Sequence, residues 1–174
     1  MKNNSRVLLS LILAFMLTAY LQDRVSPFSP YAIKIPFILS AFVYFAFRHN
    51  LLIGIVAVFP CALLGDGLSL SSGVAYLFVS SITVALIYFF LKKQLVENSL
   101  SCGLIALPLT LALLLIQYLS NLIYVGNALP FGFVFAKLLI TAVATAIATI
   151  VLAELFYRFE IIVGNKEVVD EELG

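Results

Sequence analysis

Polar and charged positions in this chain fall in narrow bands, and the apolar runs between them predict six membrane spans at about 7–22, 31–47, 51–65, 74–91, 103–125 and 133–156. Asp23 and Arg24 close the first run, Arg48-His49-Asn50 separates the second from the third, and Lys92-Lys93 separates the fourth from the fifth. The longest connection, Ser26-Pro27-Phe28-Ser29-Pro30, is too proline-rich to continue a helix, and Gly126-Asn127-Ala128-Leu129-Pro130 breaks the chain before the last run. The expected architecture is all-α: a six-helix transmembrane bundle over 1–158, followed by a short acidic cytoplasmic tail over 159–174.

Composition supports the membrane reading. Hydrophobic residues make up 63% of the chain, charged residues 11%, and the mean hydropathy is +1.14, against roughly 45–50% apolar residues in a soluble domain. A bilayer core about 30 Å thick takes roughly 20 apolar residues per helix, so six spans consume most of the 174 residues. The net charge of +1 is spread along the chain, which sets nucleic acid aside as a partner. Cys61 and Cys102 have no paired spacing and no nearby histidine or cysteine, so they read as packed thiols. The start, Met1 to Leu21, has the charge and length of a signal peptide but lacks a small-residue cleavage pattern around Thr18-Ala19-Tyr20, and is expected to stay as a helix.

Basic residues in short loops set orientation. With the N-terminus inside, the cytoplasmic segments hold Lys2, Arg6, Arg48, Lys92, Lys93, Arg158 and Lys166, against Arg24, Lys34 and Lys137 on the other side. Both termini are therefore expected in the cytoplasm. No internal repeat of the inverted-transporter kind stands out.

Candidate chemistry is sparse. The sole histidine, His49, lies beside Arg48 with no carboxylate in the adjoining segments, and is expected to be a solvated loop residue. Nucleophile elbow, phosphate loop and metal-ligand cluster are all absent from the sequence, so no catalytic, metal or cofactor site is expected. Asp66, between Gly65 and Gly67, is expected to end the third helix after a bend at Pro60, with Ser71 or Ser72 capping the next helix and Gly73 allowing close backbone approach. A carboxylate at membrane depth needs a cation, so Asp66 is expected to pair with Lys34 or Lys137; the alternative is that the lysines reach the headgroups while Asp66 faces water.

Glu154 and Arg158 form an i,i+4 pair, while the acids after Tyr157, from Glu160 onward, read as a solvated end. Gln117, Asn121 and Tyr124 make a polar stripe suited to interhelical hydrogen bonds or to lining a small cavity. Thr141, Thr145 and Thr149, flanked by Ala142 and Ala146, and the stripe Gly54, Ala57, Cys61 and Gly65 mark faces where helices approach closely.

A proline enters the second span, here Pro36, and Phe59-Pro60-Cys61-Ala62-Leu63-Leu64-Gly65-Asp66 then precedes Ser69 and Gly73. In order and spacing these residues resemble the rod shape-determining protein MreD family. Ala62 stands where the family has glycine, and the interval from Asp66 to Gly73 is about one residue shorter than in that pattern. The match covers about 31–91. The resemblance implies a non-enzymatic subunit of the bacterial cell-elongation machinery in the inner membrane. It would dock an MreC-like bitopic partner and, through it, the MreB filament, RodA and a class B penicillin-binding protein, supporting peptidoglycan synthesis. Pro36, Asp66, Gly73, Lys34 and Lys137 are then structural or docking residues. A competing expectation is the substrate-binding component of an energy-coupling-factor vitamin transporter, with Gln117, Asn121, Asp66 and Lys34 lining a cavity, and a third is an accessory subunit of another complex.

Overall fold

The computed structural model describes residues 2–25, 35–69, 75–125 and 131–164. It contains six α-helices and a short 3₁₀ turn, with no strand among the described residues: α1 (Lys2–Val25), α2 (Phe37–Arg48), α3 (Leu51–Ser69), α4 (Ala75–Phe89), α5 (Ser99–Val125) and α6 (Phe131–Val163), the 3₁₀ turn Leu91–Lys93 lying between α4 and α5. Among the described residues, four segments are long and apolar enough to cross a membrane: Ser5–Arg24, Ala75–Lys93, Ser99–Ser120 and Val134–Val163. Phe37–Arg48 and Leu51–Gly67 are shorter apolar helices.

The shortest helix is the centre of the molecule. Every residue of α2 from Ile38 to Phe47 is buried, as expected of a helix that is apolar all round. It packs against the other five helices, with α5 and α6 forming a second tightly joined pair. At about 18 Å, α2 is well short of the bilayer core, whereas α6, with 33 residues, reaches about 50 Å and projects beyond it. The outer faces are apolar too: Ile12, Met16, Leu63, Phe78, Ile123 and Val151 are exposed, the distribution of a surface made for lipid and not water.

Contacts between helix ends define an alternating path. Arg6 Nη1 donates to the Gly164 carbonyl (2.5 Å), Glu160 meets His49 in the α2–α3 turn, and Lys92 Nζ donates to the His49 carbonyl (2.6 Å). The start of α1, the α2–α3 turn, the α4–α5 turn and the end of α6 therefore share one basic end. At the opposite end, the end of α1 meets the start of α2 through Gln22 and Ile38, and the end of α3 meets the start of α4 through Asp66 and Tyr76.

Two sequence expectations are corrected here. α3 does not end at Asp66: it passes through Pro60 and on to Ser69, with Gly65 and Gly67 inside the helix. Nor is Glu160 part of a solvated end, because α6 runs to Val163 and Glu160 is completely buried. Both helices continue because tertiary contacts hold their last turns, Tyr76 against Gly65 in one case and His49 against Glu160 in the other.

Candidate functional site

Helix N-termini set the first structural demand. Their leading N–H groups have no intrahelical acceptor, and in apolar surroundings an unmet donor costs several kcal/mol. At the basic end the answer is local. Asn50 Oδ1 accepts from Ile53 N (3.1 Å) to cap α3, and Asn98 Oδ1 accepts from Ser101 N (2.8 Å) to cap α5. At the opposite end the caps come from a preceding helix: Gln22 Oε1 on α1 accepts from Ile38 N of α2 (3.3 Å), and Asp66 Oδ1 on α3 accepts from Tyr76 N of α4 (3.2 Å). The Asp66 carboxylate also takes the Leu77 N–H, so a negative charge sits at the positive end of the α4 dipole.

Around that cap the packing is close. The Tyr76 side chain is buried and hydrogen-bonded to Gln22, linking the two capping groups. Its ring lies directly over Gly65: a Cβ at position 65 would come within 2.3 Å of the Tyr76 ring. Only glycine leaves room for the ring that the Asp66 cap holds in place.

The residues singled out in the sequence are distributed as follows. Pro36 is buried at the N-cap of α2, where its missing N–H costs nothing. Asp66 is half-buried at the α3–α4 elbow. Lys137 is half-buried on α6, where its carbonyl accepts from Thr141 Oγ1 (2.8 Å); among the described residues no ion pair joins it to Asp66. Lys34, Gly73, Ser71 and Ser72 lie outside the described residues. So do the side chains of Asn121 and Tyr124. The Glu154–Arg158 pair forms at 3.1 Å, and Thr141, Thr145 and Thr149 are all buried. Thr149 Oγ1 meets Ser40 Oγ across the α2–α6 interface (2.8 Å).

At the basic end lies a cluster that contradicts the expectation for His49. This residue is 3% exposed, not solvated, and its Nε2 lies 3.0 Å from Glu160 Oε1; Glu160 is 0% exposed. The Tyr44 hydroxyl donates to Glu160 Oε2 (2.7 Å), the Phe45 ring stacks on the imidazole at 5.4 Å, and Tyr88 and Lys92 both donate to the His49 carbonyl. Lys92 is itself paired with Glu97 (3.5 Å), and the Arg48 guanidinium lies 4.2 Å from the Tyr157 ring centroid. Sequence reading missed the set because its carboxylate belongs to α6, 116 positions after Tyr44. The signal that was available is the pairing of a lone histidine with an acid just beyond an apolar run.

Through these contacts the cluster fastens the α2–α3 turn to the end of α6. Among the described residues no group of histidine, cysteine and acidic side chains is arranged to hold a metal ion. An apolar groove of about 430 Å³ runs between α4 and α5, and neither Gln117 nor Asp66 lines it. No protein-family model, curated protein or solved structure matches this chain. The conclusion that stands is an all-helical protein with apolar helices long enough to cross a membrane, pinned at both ends by buried polar contacts.

Proposed function

We propose that this chain is a non-enzymatic, multi-pass subunit of the bacterial cell-elongation machinery, similar to MreD, which docks an MreC-like bitopic protein in the inner membrane and supports peptidoglycan synthesis along the lateral wall. In this reading all six helices cross or complete crossings of the bilayer, with the basic end, carrying Arg6, Arg48, Lys92, Lys93 and Arg158, in the cytoplasm.

The observation that carries the reading is the use made of Asp66. The segment resembling the family, Phe59 to Asp66, folds as the last turns of α3, and its carboxylate caps α4. That is an architectural task, fixing two helices at an elbow, and it suits a docking scaffold. Five buried polar groups, Ser40, Thr149, Tyr44, His49 and Glu160, are likewise engaged between helices.

Depletion of the protein in its own bacterium tests the proposal. Rod-shaped cells should round up, with label for new peptidoglycan no longer incorporated along the side wall. Cells that keep their rods after depletion would overturn it.

A further inference from the structure

The groove between α4 and α5 takes no part in the helix-fastening contacts. Ile82 and Leu86 of α4 face Leu104, Pro108 and Ala112 of α5 across it, and Leu95 closes it at the basic end. Its origin lies in the sequence. Pro108 sits inside α5, where it has no N–H to give the Leu104 carbonyl and its ring crowds that turn, and both residues line the groove. The one hydroxyl in the lining, Thr83 Oγ1, is spent on the Val79 carbonyl (2.7 Å), so the walls are almost entirely hydrocarbon.

Dimensions decide what fits. From Leu104 to Ile116, the span of α5 along the groove, the rise is about 18 Å. One leaflet of hydrocarbon is about 15 Å deep, half the bilayer core. A volume of about 430 Å³ over that length is one extended hydrocarbon chain wide. A helix about 10 Å across would need several times as much and would run the full thickness of the membrane.

Charge selects the head group. The turn that closes the groove carries Lys92 and Lys93. Lys92 is held by Glu97 and the His49 carbonyl, whereas Lys93 is exposed and makes no ion pair with any described residue. Phe89 and Phe90 stand exposed beside it, at the level where a head group meets the acyl region.

We propose that the α4–α5 groove is a binding site for one anionic phospholipid, its acyl chain lying along Ile82, Leu104, Pro108 and Ala112 and its phosphate facing Lys93. The site depends on the membrane setting of the helices and not on the partner proposed above, so either proposal can fail alone.

Native mass spectrometry of the purified protein tests it, with equimolar phosphatidylglycerol and phosphatidylcholine added back. One phosphatidylglycerol should be retained per chain, favoured by about fivefold over phosphatidylcholine, the effect of one lysine near a charged head group. A112W, at an exposed position, should cut retention of both lipids at least as strongly. K93Q, on an exposed turn and without effect on folding, should remove the preference and keep the residual binding. Equal retention of the two lipids by the natural protein, or an unchanged preference in K93Q, would overturn the proposal. So would a crosslink from a photoreactive group at position 112 to a protein helix in place of lipid.

Discussion

Glu160, in the last turns of α6, lies 3.0 Å from His49 in the turn between α2 and α3, and both are buried. A pair of this kind contributes little if both partners are exchanged together for apolar groups, but removing one leaves the other uncompensated, at a cost of about 3–5 kcal/mol. Glu160→Ala should therefore lower the unfolding free energy in detergent by about 3 kcal/mol or more. Tyr44→Phe, which deprives Glu160 Oε2 of its donor, should cost about 1–2 kcal/mol. Chemical denaturation of the single and double variants checks both values. A double variant no worse than Glu160→Ala alone would show that Tyr44 acts through the carboxylate.

Gly65 and Gly67 sit two residues apart in the same helix and should respond in opposite directions. A Cβ at 65 strikes the Tyr76 ring, whereas at 67 nothing lies within 4 Å. Gly65→Ala should destabilise by about 1–3 kcal/mol, the usual cost of overpacking, while Gly67→Ala should stabilise by up to about 1 kcal/mol through helix propensity. Thermal unfolding of the two variants side by side reads the difference.

Asp66 distinguishes a cap from an ion pair. Asparagine keeps an oxygen that can accept from Tyr76 N, and alanine does not. With the cap dominant, Asp66→Ala should cost about 1 kcal/mol and Asp66→Asn less than half of that. Chemical denaturation of the two variants measures both losses. Equal losses would shift the weight to the charge, and with it to the expected partner Lys34.

Topology gives a fourth prediction. Cys61 and Cys102 are buried and free, so they contribute little background to labelling by a membrane-impermeant maleimide. Lys93→Cys and Gly67→Cys, at exposed positions near opposite ends of the bundle, should react from opposite sides. The Gly67→Cys variant should label in intact cells, and the Lys93→Cys variant only after the inner membrane is opened.

Local chemistry was legible in the sequence: the Glu154–Arg158 pair, the buried Thr141, Thr145 and Thr149 row, and the helix breaks at Arg48-His49-Asn50 and Lys92-Lys93 all follow from spacings of a few residues. What escaped is chemistry assembled across the bundle. Hydropathy ends α6 where charges begin, yet Glu160 is drawn into the helix because its partners, His49 and Tyr44, arrive from the other end of the chain. Asp66 next to glycine reads locally as a turn. It stays helical because the groups it serves, Tyr76 N and Leu77 N, belong to the following helix. Helix caps supplied from just upstream leave a signature in the sequence, as Asn50 and Asn98 do; caps supplied from another helix, as by Gln22 and Asp66, leave none.

Affinity isolation of the protein from membranes of its own bacterium in mild detergent, with mass spectrometry of what accompanies it, tests the central claim most directly. Near-stoichiometric recovery of an MreC-like bitopic protein is the predicted result, and it should persist in K93Q, since lipid binding and docking are separate. Recovery of an ATP-binding transport module in its place would contradict the account.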